Sequence, residues 1–157
     1  MTPPLPSPSP DFRIYKGMEV KIQHRGGVRF DATARGHRVV CDQPASNGGA
    51  DAGMTPPEFL LASLGTCAGF YAAQYLKARS LPMEPLEVTV TAEKMTQPAR
   101  LGQFHIDVTA PALDAQHEAG LMRAVKACLI HNTMLHTPEI EIALHTHSDA
   151  PVAGTLA

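Results

Sequence analysis

TPPEFLLASLGTCAGFYAAQYLKA, residues 55–78, is the stretch on which the fold turns. Thr55 supplies an N-cap, proline takes the first helical position, and Glu58 stands three residues after the cap. Together these satisfy amide donors that no preceding turn can serve, so a helix opens here. Residues 59–78 follow as about twenty mostly apolar positions, a length that could cross a bilayer. Ser63, Thr66, Gln74 and Lys77 interrupt the run and strand-like segments follow it, which fits a helix in the middle of a soluble fold. The small residues Ala62, Ser63, Gly65, Ala68, Gly69, Ala72 and Ala73 let another backbone approach closely, from a second helix or a second subunit. Interior glycines cost about 1 kcal/mol each relative to alanine, which such packing offsets.

Upstream, Ile14, Met18, Val20 and Ile22 make one alternating apolar series and Val28, Phe30, Ala32 and Ala34 a second, with Gly26-Gly27 as the turn of a hairpin. Residues 37–41 read as a third strand, and 43–54 (QPASNGGADAGM) as a loop dense in turn residues. Downstream of Leu81-Pro82, Leu86, Val88, Val90 and Ala92 alternate with polar residues, as do Phe104, Ile106 and Val108. The six residues 97–102 between these strands argue against a tight hairpin. Asp114 caps a second helix whose apolar face carries Leu121, Met122, Val125, Cys128 and Leu129, so Cys128 points inward. A last strand is expected over residues 139–145, where Ile140, Ile142 and Leu144 alternate. The order is βββ-α-ββ-α-β, an α+β class with no internal repeat. A single domain covers residues 12–147, between a proline-rich tail (1–11) and a C-terminal tail (148–157).

The chain has 157 residues, 44% of them hydrophobic, which suffices for one domain with a core. Its 14 Pro and 12 Gly stay below the level at which they argue for disorder. Thirteen basic against fifteen acidic residues give a formal charge of −2. That balance provides neither a positive field for nucleic acid nor a polybasic anchor for a membrane. Three widely spaced cysteines, 41, 67 and 128, do not form a secreted disulfide framework, and no signal peptide precedes them. The expectation is a cytoplasmic protein with reduced thiols.

Two readings of Cys67 and Cys128 stand side by side. Both can be buried thiols acting as small hydrophobes. Alternatively, if their helices pack together, the sulfurs can meet as a redox pair. An attacking cysteine works as thiolate, and apolar surroundings oppose that form, so a cation is then needed beside Cys67. Arg25, Arg29, Arg35 and Arg38 all lie in the N-terminal strands, and Glu58 could hold one of them. Cys41 stands outside this scheme as a structural or partly exposed thiol. His145-x-His147 and Cys128-x-x-His131 have acceptable metal-ligand spacings, yet no CxxC or HExxH accompanies them. GxSxG, GxGxxG and GxxxxGK[ST] are absent, so serine-hydrolase and nucleotide-binding readings have no support.

The Gly48-Gly49-Ala50-Asp51-Ala52-Gly53 approach, the Pro57-Glu58-Phe59-Leu60-Leu61-Ala62 opening, Leu64-Gly65-Thr66-Cys67 and Ala127-Cys128 resemble the OsmC-like family, which includes the organic hydroperoxide resistance proteins. The likeness runs from about Phe12 to His145. It implies an intertwined homodimer with sites at the subunit interface, each reducing an organic hydroperoxide with two cysteines and no metal, flavin or nucleotide cofactor. On this resemblance Cys67 is the reactive cysteine, Cys128 the resolving one, Glu58 the carboxylate that holds the catalytic arginine, and Arg29, ahead of Arg25, that arginine. A dithiol or lipoylated protein would be the reductant. Phe59, Leu60, Leu64, Phe70 and Tyr71 would wall an apolar substrate pocket, and His131 and Asn132 would either line it or cap a helix end. The sequence departs from the hydroperoxide-resistance branch at Leu129, where that branch has proline, and in a glutamate one residue closer to the reactive cysteine. It therefore resembles a divergent branch.

Overall fold

The protein is described by a computed structural model over residues 17–146. The expected tails, Phe12, Ile14 and His147 lie outside the described residues. The elements are β1 (Lys21–His24), β2 (Phe30–Ala34), β3 (His37–Cys41), α1 (Pro56–Ala78), β4 (Glu87–Thr96), β5 (Ala99–Thr109), α2 (Ala115–Lys126) and α3 (Leu129–Leu135). This is the expected α+β class. The chain divides into two compact units. One takes the chain up to Ser63 together with Val90–His105, and the other takes Leu64–Thr89 and everything from Ile106 onward. The elements α1, β4 and β5 each run from one unit into the other.

In the first unit β1, β2 and β3 form an antiparallel sheet in which Phe30 stands opposite both His24 and Cys41. The β1–β2 turn closes where the two glycines were expected, with φ of 99° at Gly26 and 55° at Gly27, values that favour residues without a Cβ. The apolar series expected to be buried is not covered. Val20 is 56% exposed, Ile22 61% and Phe30 37%, while Asp31 between the apolar positions is wholly buried. Asp31 goes inside because Arg25 Nε (2.6 Å) and Arg38 Nε (2.9 Å) both reach its carboxylate. The apolar side chains of the sheet instead wall an open cavity. Asp42, the other buried carboxylate, organises the loop after β3. It accepts from the amides of Gln43 (2.8 Å), Ala50 (3.1 Å) and Ala52 (3.0 Å), three donors that a loop would otherwise leave to water. A Cβ at Gly49 would overlap the Gln43 carbonyl, which is why the Gly-rich stretch can turn so tightly there.

The second unit holds the apolar interior. Leu64, Gly65, Ala68, Ala72 and Leu76 form the buried face of α1. Ala68, Ala72 and Leu76 pack with Leu121 and Val125 of α2, and Leu81, Leu86, Val88, Ile106 and Val108 close around them. The small-residue run thus serves helix-on-helix packing. At Gly120, on α2, a Cβ would overlap the Tyr75 hydroxyl, which hydrogen-bonds His117 Nδ1 at 3.2 Å. Asp114 caps α2 as expected, accepting from the His117 amide at 2.7 Å. The 23 residues of α1 are long and apolar enough to cross a membrane, a property that core helices share.

Three expectations are corrected. Residues 139–145 form no strand, and Ile140 (79%), Ile142 (93%) and Leu144 (86%) are exposed. Alternation supplies a face, but a strand also requires a ladder partner, and these residues have none within the described chain. The second helix is broken in two: α2 ends at Lys126, and Cys128 leaves the helical conformation (φ −56°, ψ 131°) to precede α3. Leu129, assigned inward by a single continuous helix, is consequently 55% exposed, Met122, still within α2, is 53% exposed, and Cys128 is fully buried. Finally, β4 and β5 are joined by Gln97 and Pro98 alone, because residues 99–102 continue the strand instead of looping.

Candidate active site

The second unit brings together the two cysteines that the sequence singles out. Cys67 lies on α1, one residue before the buried Ala68, so the packing of α1 on α2 carries its sulfur toward the α2–α3 break. Cys128 sits in that break with no exposed surface. Both are free thiols. Burial pushes the Cys128 thiol up from its ordinary value, and the Cys67 thiol that hydrogen-bonds it adds to the rise. The backbone amides of His131 and Ile130, in the first turn of α3, act in the opposite sense and do not cancel it. Cys128 is therefore a protonated thiol at neutral pH, which suits a group that waits to be attacked or to condense and does not suit a first nucleophile.

His131 and Asn132 turn back on α2. His131 Nδ1 lies 3.1 Å from the Lys126 carbonyl, and Asn132 Nδ2 donates to the Ala127 carbonyl at 3.4 Å. They serve the end of α2, the second of the two roles open to them. Of the apolar candidates, Leu64 is buried in the packing, Phe70 is 57% exposed and stacks edge-on against Tyr71 at 5.6 Å, and Leu60 is 39% exposed.

In the first unit, the Glu58 carboxylate accepts from the Thr55 amide (2.7 Å) and the Thr55 hydroxyl (2.8 Å). These bonds close a cap at the head of α1 and hold Glu58 below the usual carboxylate range, with a smaller contribution from the charge of Lys94. Arg25 and Arg38 are committed to Asp31. Arg35 occupies the β2–β3 turn with a left-handed φ of 50°. Arg29 is half-buried, its Nε enclosed without a hydrogen-bond partner. The amides of Ala52 and Gln43, then that of Ala50 and the charge of Arg29, hold Asp42 below its ordinary value. Phe59 lines an apolar cavity of about 560 Å³ with Val20, Ile22, Phe30, Ala32, Val39, Cys41 and Pro56. Among the described residues no group of three or more His, Cys, Asp or Glu side chains is placed to hold a metal ion.

Asp31 and Asp42 are the features that the sequence reading missed. Alternation put Asp31 on the polar face of β2, and no pattern in the sequence singled out Asp42. A usable signal was the pair of arginines at 25 and 38, one just after β1 and one on β3, the strands flanking β2.

An α+β chain with a hydrogen-bonded pair of thiols, one on a central helix and one at a helix break, is a candidate dithiol redox protein. The sequence profile of the OsmC-like protein family matches residues 48–143, and the chain belongs to that family, which includes organic hydroperoxide resistance proteins. Its fold is similar to that of a Psychrobacter arcticus osmotic stress induced and detoxification response protein, with a TM-score of 0.68 and 20% identity over 76% of this chain and 90% of that one. An OsmC-like protein of Mycoplasma pneumoniae gives a TM-score of 0.65 and 19% identity over 79% and 91% of the two chains. An organic hydroperoxide resistance protein of Legionella pneumophila gives 0.59 and 15% over 77% and 90%. No curated protein matches the sequence.

Proposed function

We propose that this chain is a thiol-dependent peroxidase that reduces organic hydroperoxides to alcohols. The observation that carries the reading is the hydrogen-bonded thiol pair Cys67–Cys128, in which the environment keeps Cys128 protonated. The Cys67 thiolate attacks the distal oxygen of ROOH. The O–O bond breaks, ROH leaves with one proton, and the sulfur becomes a sulfenic acid. The Cys128 thiol then displaces water from that sulfenic acid and a disulfide forms. A dithiol, free or on a lipoylated protein, reduces it by exchange and is itself oxidised. Arg29 is proposed as the cation that favours the thiolate. The working unit is proposed to be a cytoplasmic homodimer; the alternating Ile140, Ile142 and Leu144, exposed and without a strand partner among the described residues, support the homodimer.

The apolar cavity of about 560 Å³ favours a second reading, a non-catalytic scaffold that binds a small apolar ligand. Thiol titration with cumene hydroperoxide separates the two. A peroxidase loses two thiols per chain and gains a Cys67–Cys128 bridge visible in a peptide map, and Cys67→Ser abolishes both changes. Unchanged thiols in the wild-type protein would leave the scaffold reading in possession.

A further inference from the structure

Independently of the thiol chemistry, we propose that Arg25 and Arg38, held on the buried carboxylate of Asp31, form a surface site for a phosphate monoester. The Asp31 side chain has no exposed surface, whereas the two arginine side chains over it are 46% and 56% exposed. Arg38 alone meets both carboxylate oxygens, with Nε on Oδ2 at 2.9 Å and Nη2 on Oδ1 at 3.0 Å. The buried aspartate is therefore satisfied without Arg25. Arg25 nevertheless sets its own Nε on the same Oδ2 at 2.6 Å and ties Nη2 to Gln23 Oε1 at 3.0 Å. Two like charges thus share one oxygen, and a second anion relieves their mutual repulsion.

The remaining donors suit an oxyanion. A guanidinium can grip one along its Nε–Nη2 edge or its Nη1–Nη2 edge. Arg38 uses the first edge on Asp31, so the second faces away from the carboxylate on the exposed side. Among the described residues, Arg25 Nη1 has no bond either. The strand ladder brings further groups to this face. Lys21 pairs with Thr33 and Thr33 with Arg38, and cross-strand partners project to the same side. Gln23 and Asp31, paired two residues along, share that side. The Lys21 ammonium is held only by a loose 3.6 Å contact with the exposed Glu19. Asp31 offsets one arginine, so the other guanidinium and Lys21 present a surplus of positive charge. A phosphate monoester answers it with a charge of about −1.5 to −2 and three acceptor oxygens, where a carboxylate brings one charge and two oxygens.

The test is a titration of the full chain with inorganic phosphate and with phenyl phosphate at constant ionic strength, read from the 15N resonances of Arg25 Nε and Arg38 Nε. Both should move along one saturable curve with a midpoint of about 1 mM or below. Sodium chloride and acetate at the same ionic strength should leave them in place. Arg25→Gln should weaken phosphate about tenfold, since Asp31 keeps both bonds from Arg38. Lys21→Gln, which removes a peripheral charge, should weaken it about two- to threefold. Phosphatidylcholine vesicles with and without phosphatidic acid identify the source of the phosphate. Retention of the wild-type protein but not of Arg25→Gln on the acidic vesicles supports a lipid headgroup, and saturable shifts without retention support a soluble ester. Shifts that never saturate, shifts that chloride or acetate reproduces, or an Arg25→Gln protein that binds phosphate as the wild type does would overturn the proposal. Should Arg25→Gln fail to fold, Arg25→Lys keeps the charge and loses the planar fork, and phosphate binding as tight as wild type in that variant counts against the site in the same way.

Discussion

Among the described residues, the unit carrying β1–β3 fully buries two side chains, Asp31 and Asp42, both charged. The unit carrying α2 buries Leu64, Ala68, Ala72, Leu76, Leu121, Val125 and Cys128 and no carboxylate. The second is an ordinary hydrophobic interior, stabilised by apolar area removed from water. The first is held by local polar bonding, two arginines on one carboxylate and three amides on the other, while its apolar sheet face stays open. Polar bonding of this kind specifies geometry more than it adds net stability. The chain thus keeps Cys67 and Cys128 in the packed apolar region, and Cys41 and Arg29, whose buried Nε has no partner, in the region ordered by charge.

The contrast can be broken most forcefully in the apolar unit. Leu76→Ala should cost about 2–5 kcal/mol in urea unfolding, because a fully buried side chain leaves a cavity between α1 and α2. A loss below about 1 kcal/mol would mean that this interior is not close-packed. Gly120→Ala comes next, at about 1–3 kcal/mol, since the new methyl must displace the Tyr75 hydroxyl and its bond to His117. The measurement is the unfolding midpoint together with the His117 ring resonances, which should shift.

The polar unit is sharpened by pH. The hydrogen bond from Arg38 is the largest cause holding Asp31 below 3.8, and the Ala52 amide is the largest for Asp42. A carboxyl whose folded value is depressed contributes its full stability above the unfolded value and loses it as pH falls through the folded one. The urea midpoint should therefore stay level from neutral pH down to about pH 5 and fall below about pH 4, and Asp31→Asn should flatten that fall. Cys128 has the opposite sign. Its raised thiol contributes below the ordinary 9.0 and loses that contribution as pH climbs past it, so Cys128→Ser should reduce the alkaline loss. The smallest effect is expected at Ile142→Lys, which should change the unfolding of the single chain by no more than about 0.5 kcal/mol. Sedimentation of the same variant tests the homodimer reading, which predicts a shift toward monomer.

Local chemistry was legible wherever the partners lie within a turn of one another. The opening of α1 at Thr55-Pro56-Pro57-Glu58, the Asp114 cap, the Gly26-Gly27 turn and the alternation of β4 and β5 all appear where the sequence places them. Glu58 shows the limit of that legibility. Its capping bond to Thr55 was readable, but the further role of holding an arginine competes for the same oxygen, and only coordinates show which partner it took. Asp31 shows the reverse, since period-two alternation ranked it as solvent-facing when Arg25 of the β1–β2 turn and Arg38 of β3 had in fact made burial tolerable.

The order of residues by itself determined the helix and strand periods, the caps, the small-residue face of α1 and the two cysteines to watch, because each depends on side chains within a few positions of one another. Tertiary structure alone decided that the second helix breaks at Cys128, that its thiol meets that of Cys67, that two arginines close on Asp31, and that residues 139–145 have no strand partner among the described residues. Each of these depends on which group stands opposite at long sequence separation, and neither propensity nor periodicity encodes that pairing.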